Sequence, residues 1–444
     1  DEMRTSGVPY VVLSSAESWR EDSAVFSGTV LRCGVIVDGI LGTGCNGMPT
    51  GPAERAIRWI NGMRQHALVV AADLPSGMNG DSGEAAGAVI HADVTVTFAR
   101  PKRCFLNQAQ AGLVGHLVVA DIGIPDEVCN KGVADAPCRL IAIPELLRSF
   151  APRAWDAHKG DFGHLCVIGG SAGFAHAPVL AALGAVKSGV GLVTLAVPAQ
   201  SVCAAAAQVP EVMTHVLDAP QGDLSVEAFK VWGCDLNGFD VIVAGPGMTP
   251  SERVRGLVAH LLATYSGKLV LDADGLNVLA AMRAEGWQPR EGQQVILTPH
   301  PGEAARLLGE TVKNIQVNRL DAVRKLADLY QAVVVLKGAG TLVCCPGGVP
   351  WVNKTGNPGM ASGGMGDVLA GMVGSLWAQR ADAVQTAATA VWAHGTAGDF
   401  AALAEGQTAL SATSLVRHVG AAFQCIERDH ESCRSKTGAS LPCL

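Results

Sequence analysis

Five glycines fall within the twelve residues Gly356-Asn357-Pro358-Gly359-Met360-Ala361-Ser362-Gly363-Gly364-Met365-Gly366-Asp367, and an apolar run follows at once. Glycine has no Cβ, so backbone N–H groups can come close to a ligand. A helix beginning near Gly364 would also aim the positive end of its dipole at an anion. A phosphoryl group is the natural guest. Asp367 then falls in the first turn of that helix, beside the phosphate, where a carboxylate can take the proton of an attacking hydroxyl. The competing reading is a glycine-rich loop whose aspartate serves only as a helix cap.

Such a loop needs elements to hold it. β-Branched runs ending in Asp or Gly alternate with Ala-rich stretches of helical period, the pattern of parallel strands joined by helices, and the alternation occurs twice. The first set predicts strands at 30–38, 67–73, 94–98 and 115–120 and a helix at 52–65. The pattern lapses over 129–156, where a domain boundary is expected. The second set predicts strands at 164–169, 191–197, 241–245, 268–272, 295–298, 332–337 and 341–345, with helices at 175–188, 251–265, 303–308 and 319–330. Residues from 426 to 444 read as a polar tail.

Open α/β sheets bind ligands beyond the carboxyl ends of their strands. In the second set those ends are Gly169-Gly170-Ser171, Gly245-Pro246-Gly247, Asp272-Ala273-Asp274, Thr298-Pro299-His300-Pro301-Gly302-Glu303 and Lys337-Gly338-Ala339-Gly340-Thr341. They are expected to converge with the Asp367 loop on one cleft. His300 either meets a substrate or fills a core hydrogen bond, and Lys337 either holds a phosphate or reaches solvent. Asp272 and Asp274 either help place Mg²⁺ through water or cap a helix starting near Leu276.

Composition narrows the class. With 444 residues, 49% of them hydrophobic, and a net charge of −7, the chain reads as globular, soluble and multidomain, with no nucleic-acid or membrane partner. Thirteen scattered cysteines without a CxxC pair suggest free thiols in the cytoplasm.

The segment Asp156-Ala157-His158-Lys159-Gly160-Asp161-Phe162-Gly163, the 298–308 run, 337–341 and 357–367 resemble, in this order, the ADP/ATP-dependent NAD(P)H-hydrate dehydratases. The resemblance spans about 149–425. It implies a ribokinase-like, mainly parallel sheet with flanking helices, and ADP or ATP with Mg²⁺ as cofactors. The implied substrate is hydrated NADH or NADPH, and homo-oligomers are implied as well. It assigns Asp367 the catalytic base and Gly364 and Gly366 the anion hole. Lys337, Gly338, Ala339, Gly340, Thr341 and Asn357 would contact the nucleotide, and Gly247 and His300 the substrate. A kinase for a small vitamin or sugar alcohol remains the alternative.

In residues 1–135, Val35-Ile36-Val37-Asp38-Gly39-Ile40-Leu41-Gly42-Thr43-Gly44 and Ala71-Ala72-Asp73-Leu74-Pro75-Ser76-Gly77 resemble the NAD(P)H-hydrate epimerases, as a partial Rossmann-like α/β domain. That resemblance implies K⁺ ligands in Asp38 and Ser76, a substrate loop containing Gly42, Thr43 and Gly44, and a catalytic or substrate-contacting carboxylate in Asp73. The Asn-Asn-Gly-Gly-Asp-Gly loop of that family is absent from 1–33, and the chain opens on Asp1 rather than Met. A truncated first domain with an incomplete sheet edge and little or no epimerase activity is therefore expected.

Overall fold

Short runs of Val, Ile, Leu and Ala become strands where helices cover both faces of a parallel sheet. The computed structural model describes residues 34–106, 110–125, 127–128, 138–143, 146, 153–217, 219, 224–233, 235–380 and 382–436. The predicted strand start at 30–33, the expected gap in 1–33, most of the expected boundary at 129–156 and the tail beyond 436 lie outside these residues. Two compact units make up the chain, Asp1–Ala136 and Pro137–Leu444.

In the first unit, β1 (Val35–Asp38), β2 (Leu68–Ala72), β3 (Val94–Phe98) and β4 (His116–Ala120) form a parallel sheet in the order β1-β2-β3-β4. Helix α1 (Gly51–Gly62) joins β1 to β2 and buries Ile57 and Ile60 against Val69, Ala71 and Ile90.

Among the described residues the second unit carries ten strands. They are β5 (Arg139–Leu140), β6 (His164–Ile168), β7 (Leu192–Pro198), β8 (Met213–Leu217), β9 (Val241–Ala244), β10 (Lys268–Leu271), β11 (Gln294–Leu297), β12 (Val333–Leu336), β13 (Leu342–Cys344) and β14 (Trp351–Val352). Their order is β5-β14-β13-β12-β11-β10-β9-β6-β7-β8, with antiparallel pairing only at β12/β13 and β13/β14. From β6 the chain runs outward through β7 and β8, then returns to β9 on the other side of β6. The crevice beyond β6 and β9 is thus the topological switch point, where such sheets bind ligands.

The helices that matter to this edge are α2 (Ala177–Lys187), α3 (Glu252–Thr264), α4 (Asp274–Ala284), α5 (Pro301–Leu308), α6 (Arg319–Tyr330), α7 (Met365–Ala378), α8 (Ala383–Glu405) and α9 (Ala412–Lys436). From Val368 to Trp377 helix α7 is buried on every side: Val368, Ala370, Met372, Val373 and Trp377 have no exposed surface. Burial fixes this helix rigidly, and with it the direction of its N-terminus.

Two expectations are corrected. The last helix continues to Lys436, past the polar tail expected from 426, because Leu415, Val419, Ala422 and Ile426 keep a buried stripe at helical spacing and helix-forming Glu427 and Arg428 follow. Helix α4 begins at Asp274, and no side chain caps it. Among the described residues no helix is long and apolar enough to cross a membrane.

Candidate active site

Asp272 lies just after β10, His300 after β11 and Lys337 after β12, so three neighbouring parallel strands deliver them to one edge. Their side chains meet there. Asp272 is 1% exposed, and its Oδ1 accepts from Lys337 Nζ at 2.6 Å and from Thr298 Oγ1 at 2.8 Å. Glu303, 5% exposed, brings Oε2 to 3.8 Å from the same ammonium. Burial alone would lower Lys337, but Asp272 and Glu303, with Asp367 further off, raise it, so it stays a cation.

Asp367 stands in the first turn of α7, whose N-cap is Gly364 with no side-chain cap bond. The capping role is therefore not what this carboxylate performs, and the first N–H groups of α7 are left for a ligand. Gly364 has φ +87°, which favours glycine, and a methyl group there would sit 2.6 Å from Leu180 Cδ1, so that side chain would have to shift. A Cβ on Gly366 would lie 3.3 Å from Lys337 Nζ, which places the lysine against the glycine turn.

The carboxylates are tuned by this crowding. Burial first, then the charge of Asp272 and, against the opposing pull of Lys337, those of Glu303 and Asp274, push Asp367 up to about 7. Glu303 is likewise pushed to about 7, chiefly by burial. A carboxylate poised near neutrality, beside a glycine-capped helix start and a fixed ammonium, can take a proton while phosphoryl charge is neutralised.

His300 is the N-cap of α5. Its Nδ1 accepts from Gly302 N at 2.9 Å and Glu303 N at 3.3 Å, while Glu303 Oε2 accepts from His300 N at 2.7 Å. With Nδ1 engaged as an acceptor, Nε2 carries the proton, 3.4 Å from Glu303 Oε1. Burial and the nearby Lys337 and Arg306 charges lower its pKa, so the ring is a neutral donor at the half-exposed rim.

The remaining expected residues make the following contacts. Gly247 (φ +69°) packs against the Phe174 turn: a methyl there would meet Phe174 O at 2.6 Å. Ser171 Oγ and Thr249 Oγ1, 2.7 Å apart, tie the ends of β6 and β9 together. Asp274 accepts from Thr249 N at 3.1 Å and Asn277 Nδ2 at 3.0 Å, away from the lysine. Asn357 is locked within its loop, donating to Asp399 Oδ1 at 2.9 Å and accepting from Gly359 N at 3.0 Å. The same Asp399 accepts from Gly356 N at 2.9 Å, so α8 anchors the glycine loop. His394, also on α8, donates from Nε2 to Met365 O at 3.0 Å; burial lowers it to about 4 and keeps it neutral. The 337–341 turn joins β12 to β13, with Thr341 Oγ1 donating to Gly338 O at 2.9 Å and Ala339 exposed at its tip.

In the first unit Asp38 is wholly buried at the end of β1, and both its oxygens are engaged: Oδ1 accepts from Ser76 Oγ at 2.6 Å and Oδ2 from Ser76 N at 2.8 Å. Ser76 Oγ also accepts from Leu41 N at 2.8 Å. This pair is a strut between the β1 and β2 ends, and Asp38 Oδ2, with one donor, keeps a lone pair that a K⁺ ion could meet. Asp73 (φ +70°) is separate from it: Lys102 Nζ, Thr97 Oγ1 and Phe98 N all donate to its Oδ1. Burial opposes ionisation there, but those donors hold the carboxyl below its usual range. Gly42, Thr43 and Gly44 form an exposed turn.

Sequence reasoning missed the roles of Lys102, Glu303, His394 and Asp399. Among the described residues no three His, Cys, Asp or Glu side chains converge as a metal site.

Comparison with known proteins identifies the family of each part of the chain. The NAD(P)H-hydrate dehydratase family model matches residues 165–420, and the YjeF-related protein N-terminus model matches residues 1–104. The second match shows an N-terminal region of this type and does not confirm the expected loss of epimerase activity. The bifunctional NAD(P)H-hydrate repair enzyme Nnr of Coxiella burnetii is 40% identical over 385 residues, 87% of this chain and 75% of that protein. Its Escherichia coli K12 counterpart is 34% identical over 382 residues, 86% of this chain and 70% of that protein. Among solved structures, the ADP/ATP-dependent NAD(P)H-hydrate dehydratase of Bacillus subtilis, co-crystallised with ATP/Mg²⁺, is 28% identical with a TM-score of 0.57, covering 65% of this chain and 99% of that one. A ribokinase-like superfamily protein of Enterococcus faecalis, 24% identical with a TM-score of 0.58 over 66% of this chain and 97% of that one, shares the fold. The chain belongs to the bifunctional NAD(P)H-hydrate repair enzymes, its second unit folded as a ribokinase-like dehydratase.

Proposed function

We propose that the second unit restores NAD(P)H from the S form of its hydrate, using ADP or ATP to phosphorylate the C6 hydroxyl and then expelling phosphate. The observation that carries this reading is Asp367, pushed to about 7 at the uncapped start of α7 beside Lys337. Hydroxide is a poor leaving group and phosphate a good one, so a kinase-type site suffices for a dehydration.

Asp367 takes the hydroxyl proton as the C6 oxygen attacks the terminal phosphorus of the nucleotide, whose bond to the bridging oxygen breaks and releases AMP from ADP or ADP from ATP. Amides at Gly364 and Gly366 and the Lys337 ammonium receive the charge of the transferring group. The C6–O bond then breaks with its electrons leaving on phosphate, pushed by the ring nitrogen lone pair. Loss of the neighbouring C5 proton completes the dihydronicotinamide. His300, a neutral Nε2 donor at the rim, orients the substrate. The 337–341 turn holds the nucleotide, while Gly247 and Asn357 serve by shaping the walls they pack in. Mg²⁺ fits this site as a nucleotide-borne ion, since Asp272 is the carboxylate beside the lysine and magnesium takes most ligands from phosphate and water. It would neutralise phosphate charge.

Potassium in the first unit, a cytoplasmic setting and homo-oligomeric assembly complete the reading. The first and last rest on the resemblance alone, the second on the scattered cysteines. Product analysis tests the reading: incubation with S-hydrate and ADP or ATP should release inorganic phosphate together with dihydronicotinamide. A stable phosphate ester as the only product, from a vitamin or sugar alcohol, would establish the kinase alternative.

A further inference from the structure

The 337–341 turn is too glycine-rich to hold its own shape, and something beneath it must do so. Arg319, the first residue of α6, lies there 8% exposed. Its Nη2 donates to Leu336 O at 3.1 Å, Lys337 O at 3.2 Å and, most weakly, Gly340 O at 3.5 Å, and its Nη1 donates to Gln316 Oε1 at 2.9 Å. Nε is buried without an acceptor. Among the described residues no carboxylate pairs with this guanidinium; burial lowers it to about 10, so at neutral pH it remains a cation. Buried arginines are ordinarily paired with acids, so a cation held only by carbonyls calls for a reason.

We propose that Arg319 is a positioning residue for nucleotide binding, its planar fork setting the peptide planes of the 337–341 turn. In a trans peptide the C=O and N–H point opposite ways. Drawing the Leu336, Lys337 and Gly340 carbonyls down onto the guanidinium therefore turns the N–H groups of Lys337, Gly338 and Thr341 away from it. The Lys337 N–H is taken by Pro299 O at 2.8 Å, which leaves those of Gly338 and Thr341 facing outward as donors to a nucleotide. Gly338 (φ +132°) has its Cβ position 3.2 Å from Arg319 Nη1, so the turn and the fork are fitted to one another. Lysine carries the charge but has no second nitrogen to hold Gln316 Oε1 while the first serves the carbonyls, so its ammonium is not locked in place.

This inference rests on the nucleotide-dependent reading, and the test separates the two. Calorimetric titration with ADP and with ATP is compared for wild type, Arg319→Lys and Arg319→Met, alongside the KM for the hydrate. The inference expects both variants to bind nucleotide about tenfold or more weakly, with the hydrate KM within about twofold of wild type. An Arg319→Lys protein that binds nucleotide as tightly as wild type would overturn it, as would equal weakening toward hydrate and nucleotide. If the arginine variants do not fold, Gly338→Ala, which pushes on the same fork from a surface position, should show the selective loss. Unchanged affinity there overturns the inference. A wild-type protein that binds neither ADP nor ATP overturns the nucleotide-dependent reading itself.

Discussion

Replacing Asp367 with asparagine should inactivate the enzyme and yet stabilise its fold. An aspartate ordinarily titrates at 3.8, but here burial, reinforced by Asp272, Glu303 and Asp274, pushes it to about 7. A carboxyl raised in this way is protonated in the folded chain and ionised in the unfolded chain between those two values. Its contribution to stability is therefore fully present below about pH 4 and lost as pH rises through about 7. At about 1.4 kcal/mol per pH unit the full difference is at most about 4 kcal/mol. Partial exposure, and the loss of a negative neighbour by Lys337, reduce the net gain in the variant to about 1–2 kcal/mol. Asparagine has no charge to desolvate. Asp367→Asn should thus melt roughly 2–6 °C above wild type at pH 8 and match it near pH 4. Nucleotide-dependent recovery of dihydronicotinamide absorbance should fall at least about 10²-fold. Thermal melts at pH 4, 6 and 8 beside that assay decide the matter. A variant less stable than wild type at pH 8, a stability difference independent of pH, or retained turnover would refute the reasoning.

Other perturbations probe the same cluster. Lys337→Met removes the charge that pulls Asp367 and Glu303 downward, so the rising limb of the kcat–pH profile should move to higher pH, and an unmoved limb would contradict the cluster. The same change leaves Asp272 without its cation and should cost about 3–5 kcal/mol in urea denaturation above pH 7. Gly364→Ala forces φ +87° on an L residue and a methyl group 2.6 Å from Leu180; a stability loss of about 1–2 kcal/mol and a kcat reduced about tenfold are expected from melts and steady-state kinetics. Asp399→Ala frees Gly356 N and Asn357 Nδ2 from their acceptors, which should cost about 1–3 kcal/mol and raise the nucleotide KM; wild-type values would show that α8 does not hold the loop.

The sequence showed most of what stands at strand ends. Runs such as 268–272 and 332–337 are buried on both faces, so they read as near-continuous apolar stretches closed by Asp or Lys, and those closing residues were found. Strands β5 and β14, two residues each, are too short to show any period, and β8 (Met-Thr-His-Val-Leu) mixes polar and apolar residues because it is an edge. Pairings across long separations were not legible. Nothing near Asp272 announces Lys337, 65 positions away: their ion pair shows only in the structure, as does the lack of a side-chain cap on the helix that begins at Asp274. Asp38 and Ser76, the two residues expected to share an ion, stand within a hydrogen bond of each other, and that bond across 38 positions was not legible in the sequence.

The central claim is that phosphorylation of the substrate's C6 hydroxyl, with Asp367 as its base, serves to expel water. Its most direct test incubates the chain with S-hydrate and ADP or ATP, following dihydronicotinamide absorbance and inorganic phosphate together. The account predicts that both rise in equal amounts, and only when nucleotide is present. Absorbance recovered without nucleotide, or nucleotide consumed with no dihydronicotinamide formed, would contradict it.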